Sequence, residues 1–589
     1  MRCSQAFSMA LLLIGTTLRA GTVTVGWDDD CDYDVRVDLD AISIALADGH
    51  EDIRVSNEQD YSQRFVITDS VTLRGGFANC ADAAAGTHSG LPTNIDASGS
   101  GPTPIKVNSS GSVVDVEVSD LYIFGSTGNS GSGDNYAAAL TIFGTNGIVT
   151  LRSMRITDNS DDVFAGGISI RNDFEPLSNA LEVVIVDSEV AYNQGQQGGG
   201  VACFNDGDVT ELRIEGTSSI AYNHATAHGG GLYNSGCDIE VSSGTASPSI
   251  VNALGIHGNT ADGNGGGVAM YEGSLSLLGG TSHPVNVSEN VANLDASGSG
   301  DGGGLFASGE NAAVNAVNLL LIDNQTSREG GGAWVAFGAQ FDLMTTERNC
   351  GWSRLCSLVA GNQANLGGAF YAEDGGLITL TGVEGHSNRA GNSGSFAHLR
   401  DDPSRLSIDS ALLHHNGGDD HSEFSDNSLI VNAFGDNQIA VSYSTIADNA
   451  VQNATVSAHN GESGQLDLLA SIVDDPGIPA VSFILPAVVD GLIECVIVAD
   501  AFGINSTGGS NVIEASPSFV DRANADYHLA ALPNMAVDQC ASGLVVSPGP
   551  DMDGAARGTD EPTVPDNQGP FDIGVDEYSN DLIVKDGFE

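Results

Sequence analysis

The densest group of side chains that could do chemistry lies in the segment HHNGGDDHSEF. It contains His414, His415, Asp419, Asp420 and His421. Imidazole nitrogens and carboxylate oxygens are common ligands of divalent metals, and two carboxylates can act as acid and base in glycoside hydrolysis. The segment is predicted to form a turn, and the alternative to a metal or catalytic site is a solvated loop between two strands. These five residues are therefore the metal-ligand candidates, and no residue is assigned a catalytic role.

Cleavage of acidic polysaccharides would need acidic calcium ligands close to a basic arginine. Asp161 and Asp162, with Arg155 near them in the sequence, offer such a group, but a chain with 77 acidic residues produces these neighbours by chance. The Arg-x-Lys signature of polygalacturonases is missing, because neither Lys106 nor Lys585, the only lysines, has an arginine two positions before it. The sequence therefore contains no complete catalytic signature.

The charge of the chain restricts its partners. Twenty basic residues stand against 77 acidic ones, which gives a net charge of −57. Such a field repels nucleic acids and anionic membrane surfaces and attracts cations. Calcium is the cation this composition favours, bound diffusely by surface carboxylates, because hard cations prefer oxygen ligands. We expect no nucleic-acid partner.

Glycine triplets mark an internal repeat. Each triplet, and the later pair at Gly367, follows an asparagine, five or six positions before the first glycine in all but one case. The asparagines are Asn193, Asn223, Asn259, Asn324 and Asn362, with Asn290 twelve positions ahead of its triplet. Between triplets lie three short runs of β-forming residues separated by turn residues. Repeats of this size and composition predict the coils of a stacked array.

These features predict an all-β protein built as a single right-handed parallel β-helix. Each strand would pair with its equivalent one coil away, at about 4.8 Å. The glycines would occupy corners where backbones pass closely and φ is positive. The asparagines would stack as a ladder, side-chain amide to side-chain amide.

The ends of the array are predicted to be capped. Residues 1–20 resemble a secretory signal peptide, and 21–80 would form the N-terminal cap and first coils. A capping helix is expected over 38–48, with Asp38 as its N-cap and Leu39, Ile42 and Leu46 at helical spacing. The coils would occupy residues 81–520. Residues 521–578 would form an irregular cover over the last coil, and residues 579–589 would form a tail. No later segment is long and apolar enough for a membrane helix.

Eight cysteines remain after the signal peptide, and an even number in an exported chain predicts disulfides. We expect sequence neighbours to pair. The expected pairs are Cys31 with Cys80, Cys203 with Cys237, Cys350 with Cys356, and Cys495 with Cys540. The first is the strongest expectation, because it would clamp the cap to the first coil.

The asparagine, short spacer and Gly-Gly-Gly-Leu-Tyr pattern resembles repeats of the polymorphic outer-membrane-protein type, found in right-handed parallel β-helix (pectin-lyase-like) proteins. The segments CDYD, LDAISIALADGHEDIRV and VTLRGGFANC resemble the cap and first coils of secreted bacterial members. The segment NVIEASPSFVDRANADYHLAALPNMAVDQC, followed by FDIGVDEY, resembles the end of choice-of-anchor Q proteins. The resemblance implies an exported bacterial protein and specifies fold more closely than activity.

Two functions follow as hypotheses. The first is a non-catalytic exported scaffold, secreted or surface-associated, which displays loops on a rigid β-helix and contacts an extracellular glycan or a cell-surface component. The second is a polysaccharide lyase or glycoside hydrolase that acts in a groove along the β-helix, and it is supported by fold analogy only. The missing catalytic signatures favour the first.

Overall fold

The computed structural model describes most of the chain between residues 19 and 578. The gaps are 99–102, 110–111, 129–138, 173–179, 206–208, 244–254, 281–282, 294–299, 347, 351–352, 402, 418–427, 433–435, 460–463, 485–488, 503, 505–509, 542–543, 545–548 and 566–567. Residues 1–18 of the predicted signal peptide, the predicted tail 579–589, and three predicted metal ligands, Asp419, Asp420 and His421, therefore lie outside the described residues.

The described strands confirm a parallel β-helix. One sheet of 44 strands winds along the molecule, and each strand pairs with its counterparts in the preceding and following coils. Strand Val201–Asn205, for example, pairs in parallel with Ile168–Asn172 on one side and with Leu232–Ser242 on the other. Buried aliphatic side chains fill the interior of the coils as one continuous core.

Three faces make up each coil, in the chain order face 1, face 2 and face 3. Face 1 contains Phe65–Ile67, Ile105–Val107, Leu140–Phe143, Ile168–Asn172, Val201–Asn205, Leu232–Ser242, Val268–Leu278, Leu305–Ser308, Ala333–Ala336, Phe370–Glu373, Ala397–Leu399, Ser428–Asn432, Ala454–His459 and Val481–Ile484. Face 2 contains Arg19–Gly26, His50–Ser56, Val71–Phe77, Val113–Ser119, Asn146–Arg152, Ala180–Val186, Val209–Glu215, the second halves of Leu232–Ser242 and Val268–Leu278, Ala312–Val317, Gln340–Met344, Leu377–Thr381, Arg405–Asp409, Gln438–Ser442, Gly464–Leu469 and Val489–Asp490.

Face 3 completes the coil and leads into a smaller sheet at the next corner. Face 3 contains Thr93–Asp96, Leu121–Phe124, Arg155–Thr157, Glu189–Ala191, Ser219–Ala221, Gly255–His257, Val285–Ser288, Leu319–Ile322, Ser357–Ala360, Val383–His386, Leu412–His414, Thr445–Ala447, Ile472–Asp474 and Ser510–Glu514, with Ile493–Val498 spanning faces 2 and 3. The corner sheet contains Gln194–Gln197, His224–His228, Thr260–Ala261, Val291–Ala292, Gln325–Thr326, Gln363–Leu366 and Arg389–Ser393. The remaining strands are Tyr33–Asp34 and the antiparallel pairs Arg348–Cys350 with Ser353–Leu355 and Phe519–Asp521 with Asp526–Leu529.

The N-terminal capping helix is present but shorter than predicted, Ala41–Ala47. Its N-cap is Asp40 rather than Asp38, whose carboxylate instead accepts a hydrogen bond from the Asp40 N–H. Leu39 lies before the helix and is 72% exposed, so it was wrongly placed on the apolar stripe. A second helix, Cys80–Ala85, was not predicted. No helix in the described parts of the chain is long and apolar enough to cross a membrane.

The glycine triplets occupy the positions that require them. Gly229, the first of its triplet, has φ of 67°, the left-handed conformation that glycine adopts at low cost. A Cβ on Gly230, the second, would lie 2.3 Å from the carbonyl oxygen of Gly266 in the next coil. Positive φ and close backbone approach, both expected from the sequence, are therefore confirmed at this corner.

The asparagine ladder is also confirmed. Its rungs are Asn159, Asn193, Asn223, Asn259, Asn290, Asn324, Asn362, Asn388, Asn416 and Asn449. Each side-chain Nδ2 donates to the Oδ1 of the next rung at about 3 Å, as between Asn223 and Asn259 at 3.0 Å. The last rung is an acid, since Asn449 donates both its main-chain N–H and its Nδ2 to Asp475.

Three of the four expected disulfides are present: Cys31–Cys80, Cys203–Cys237 and Cys495–Cys540. Cys356 is disulfide-bonded as well. The side chain of Cys350, its expected partner, lies outside the described side chains. The Cys31–Cys80 bond ties the helix Cys80–Ala85 to the segment that follows the first strand.

The C-terminal cover is irregular, as predicted, but it reaches well beyond the last coil. Arg522 forms ion pairs with Asp448 and Asp474, which lie on different coils. Farther along, the guanidinium of Arg557 lies over the ring of Tyr443, with its Cζ 4.6 Å from the ring centroid. Tyr527 packs in an apolar cluster with Leu412 and other face 3 residues. The cover therefore lies along the outside of several coils, where contacts between residues distant in the sequence hold it.

Candidate functional site

The predicted histidine group is only partly described, and its described members face the cover. His414 is buried between the rings of His386 and Tyr527, whose centroids lie 5.3 Å from that of His414. Its Nε2 is 3.3 Å from Glu384 and its Nδ1 is 2.9 Å from Nδ1 of His415. His414 is thus the last residue of strand Leu412–His414 and lies in a packed contact, rather than on the predicted turn.

The acidic pair of the lyase hypothesis has one buried and one exposed member. Asp161 is buried and accepts a hydrogen bond from the main-chain N–H of Val163 at 2.8 Å, whereas Asp162 is exposed. Burial raises the pKa of the Asp161 carboxyl. Arg155 pairs instead with Glu189 at 3.2 Å. The described contact of Arg155 is therefore with Glu189 rather than with this acidic pair.

A groove of about 590 Å³ lies over face 3. Its floor is made by the outward side chains of successive strands, including Arg155, Glu189, Ser219 and His257. Arg155, Glu189 and Ser219 occupy equivalent positions on successive strands, which are stacked about 4.8 Å apart, and His257 lies in the next coil opposite Ala221. The groove therefore crosses several coils and suits an extended ligand.

Acidic corner residues form one wall of the groove. Asp120 and Asp187 stand at equivalent corners, both with positive φ, where face 2 turns into face 3. The Oδ1 of Asp187 accepts hydrogen bonds from the N–H and the hydroxyl of Thr217, at 3.0 and 3.2 Å. His88, from a loop near the first coils, lies 3.4 Å from Asp120. Carboxylates held in this way are fixed hydrogen-bond acceptors.

A pair of tyrosines stands at the opposite corner. Tyr192 and Tyr222 stack with ring centroids 5.3 Å apart and planes 12° from parallel. They are 55% and 47% exposed, and Tyr222 lines the groove directly. His257 meets Tyr222 edge-on at 5.3 Å and its Nε2 lies 3.1 Å from the Ser219 hydroxyl. Exposed aromatic surface beside hydrogen-bonding groups is typical of a ligand site.

Sequence reasoning missed this groove, although a local signal existed. Each tyrosine directly precedes a ladder asparagine, as Tyr192 before Asn193 and Tyr222 before Asn223. Because the ladder fixes the corner, the preceding residue is forced to project from it. The repeated Ala-Tyr-Asn triplet therefore predicts an outward aromatic pair once the ladder is recognised. The acidic wall carries no comparable local pattern.

A second polar cluster surrounds Glu373 on face 1. Burial, followed by the nearby charge of Glu329, raises the pKa of the Glu373 carboxyl to about 7. Tyr371 donates a hydrogen bond to it at 3.1 Å and stacks on His398 at 5.5 Å. A carboxyl that titrates near neutrality could transfer protons. Tyr371 and His398 are buried, however, and Glu373 is only partly exposed, so this cluster offers a polymer little contact surface.

Comparison with known proteins adds no family to this description. No family model matches the chain. No curated protein has a matching sequence.

Proposed function

We propose that the protein is an exported, non-catalytic scaffold that binds a neutral saccharide chain in the groove on face 3. The observation that carries the proposal is the groove with the exposed tyrosine pair at its edge. A rigid β-helix presents equivalent positions at regular intervals, so a polymer lying along its axis meets repeated contacts. Three disulfides support a protein that works in an oxidising compartment.

The chemistry of the groove selects the ligand class. Asp120, Asp187 and Glu189 line the groove and can accept hydrogen bonds from sugar hydroxyls. Tyr222 in the groove and Tyr192 stacked beside it offer exposed aromatic surface to the C–H groups of a sugar ring. The net charge of −57 opposes a polyuronate unless calcium bridges the two. A neutral chain avoids that repulsion.

The resemblance to exported bacterial β-helix proteins supports the same proposal. Repeats of the polymorphic outer-membrane-protein type and an ending like that of choice-of-anchor Q proteins belong to a surface-associated protein. The pectin-lyase-like fold also includes polysaccharide enzymes, but a fold does not by itself give an activity. The absence of a complete catalytic signature from the sequence favours binding.

The experiment is a binding screen of the purified protein on neutral plant and bacterial polysaccharides, with pectin and alginate, each with and without calcium. We compare the wild type with the double variant Tyr192→Ala/Tyr222→Ala and with the control Phe502→Ala. Phe502 is 74% exposed and does not line the groove, so it matches the loss of exposed aromatic surface. The double variant is expected to weaken binding to a neutral glycan at least tenfold, and the control to leave it unchanged.

One result would count against a non-catalytic scaffold, and two would count against the groove. New reducing ends or unsaturated products would establish the alternative, a lyase or hydrolase. Glycan binding that survives the loss of both tyrosines, or no glycan binding across the panel, would remove the groove as the site. Circular dichroism of each variant checks that the fold is retained.

A further inference from the structure

Three segments of the cover bring one histidine and two aspartates together. His528 comes from strand Asp526–Leu529, Asp553 from a turn 25 residues later, and Asp576 from the final described segment. One ligand atom from each lies within 4.8 Å of the other two. None of these residues belongs to the groove or to the predicted histidine group.

We propose that His528, Asp553 and Asp576 form a binding site for a borderline divalent cation of the Zn²⁺ type. One imidazole nitrogen and two carboxylates are a donor set that such ions accept, whereas Ca²⁺ and Mg²⁺ prefer oxygen alone. The Nε2 of His528 is 3.1 Å from Oδ2 of Asp553. Tetrahedral coordination with bonds of about 2.0–2.2 Å places two ligand atoms about 3.3 Å apart, so this pair needs little adjustment.

A fourth residue orients the imidazole. Asp526 lies with Oδ1 2.5 Å from Nδ1 of His528, and the same oxygen accepts the main-chain N–H of His528 at 3.2 Å. Metal-binding histidines commonly donate their second ring nitrogen to a carboxylate, which fixes the tautomer and the ring direction. Here that contact leaves Nε2 directed toward Asp553.

Asp576 supplies an independent observation that points to a ligand at this site. It is only 3% exposed, and its Oδ2 accepts the N–H of Leu529 at 2.6 Å. Its Oδ1 is buried and accepts no hydrogen bond from the described part of the chain. A buried carboxylate oxygen without a partner is costly, and coordination of a cation would satisfy it.

The local charge favours a cation. The carboxylates of Asp526, Asp553 and Asp576 all lie close to the imidazole of His528. The imidazole therefore lies in a strongly negative potential. The whole chain, at −57, adds a field that concentrates cations near the surface.

A bound ion would join three segments of the cover that have little regular secondary structure. The cover also contacts the outside of the β-helix through Arg522 and Tyr527. By joining the segments of the cover, the ion would therefore also stabilise its packing against this end of the β-helix. Ligand binding to the folded state alone stabilises it by mass action. The proposal does not depend on saccharide binding.

The test titrates the EDTA-treated full chain by calorimetry with Zn²⁺ and, separately, with Ca²⁺ and Mg²⁺. The variants are His528→Gln and Asp553→Asn, and the control is Asp560→Asn, which removes one exposed acid of the same cover. One equivalent of Zn²⁺ should bind the wild type and the control, and both site variants should weaken that step at least tenfold. Zn²⁺ should also slow hydrogen exchange in 526–529 of the wild type.

Two outcomes would overturn the site. Zn²⁺ isotherms of the wild type, His528→Gln and Asp553→Asn that coincide would show that these residues do not bind it. Equal affinity for Ca²⁺, lost in Asp553→Asn but kept in His528→Gln, would assign the cation to oxygen ligands alone. If one site variant fails to fold by circular dichroism, the other decides the question.

Discussion

Replacement of one ladder asparagine, Asn259→Ala, should destabilise the middle of the β-helix. The Oδ1 of Asn259 accepts from the main-chain N–H and the Nδ2 of Asn223, at 2.9 and 3.0 Å. Its Nδ2 donates to the carbonyl of Ile220 at 2.9 Å and to Oδ1 of Asn290 at 3.0 Å. The side chain is completely buried, so water cannot replace these partners.

The magnitude follows from the groups that lose a partner. The N–H of Asn223 loses the acceptor that the ladder gives it, which costs about 1–3 kcal/mol for a buried donor. The Nδ2 of Asn223, the carbonyl of Ile220 and the Oδ1 of Asn290 each lose one bond, and the missing amide leaves a small cavity. The free energy of unfolding should therefore fall by about 3–5 kcal/mol.

Urea denaturation followed by circular dichroism measures the loss, and Asn315→Ala is the control. Asn315 lies on an exposed position of strand Ala312–Val317, where a change within about 0.5 kcal/mol is expected. In a stacked array each coil interacts mainly with the coils next to it. Hydrogen exchange should therefore accelerate mainly in Ser219–Ala221 and Gly255–His257. Unfolding midpoints and exchange rates that match those of the control would refute the stabilising role of the ladder.

Three further predictions concern other parts of the fold. Burial raises the pKa of Asp475 to about 6, so the stability that its protonated form provides below pH 4 is lost as the pH rises through 6. Asp475→Asn should remove this loss. Calorimetric melting should then show the free energy of unfolding raised by up to about 3 kcal/mol at pH 8 and little changed at pH 4. Gly230→Ala places a Cβ 2.3 Å from a backbone oxygen and should cost about 2 kcal/mol or more in urea denaturation, whereas Gly21→Ala, with nothing within 4 Å, should be neutral. Loss of the Cys31–Cys80 bond, which spans 49 residues, by a double change to serine should lower stability by about 2–5 kcal/mol, and an unchanged melting temperature would contradict the clamp.

The periodic part of the structure could be predicted because its signals are local. An asparagine and a glycine triplet at a nearly constant offset recur with each coil, so the ladder, the corners and the parallel pairing follow from spacing alone. The three confirmed disulfides could be predicted for a similar reason, because each joins two cysteines that follow one another in the sequence. The helix boundary was misjudged because Asp38 and Asp40 are both residue types favoured at N-caps, whereas neither side chain caps the helix and Gln63, from a later segment, accepts the N–H of Ile42.

The candidate sites could not be predicted because they depend on register between distant residues. Arg155 and Glu189 come from adjacent coils, and the groove forms only when those coils are stacked. His528 and Asp576 lie in a cover whose path is set by contacts with face 3. The sequence instead indicated the segment with the most closely spaced histidines and acidic residues, because such spacing can be recognised without knowing the fold.

The ladder has a consequence for how such a chain can change over evolution. Consecutive rungs are separated by as few as 26 and as many as 38 residues, yet they meet with nearly the same geometry. The length of the intervening loops is therefore uncoupled from the register of the stack. A coil can be duplicated, deleted or exchanged as a unit if it carries its asparagine and its glycines. Recombination of whole coils would then reshuffle the outward residues of a groove while the interior stays continuous.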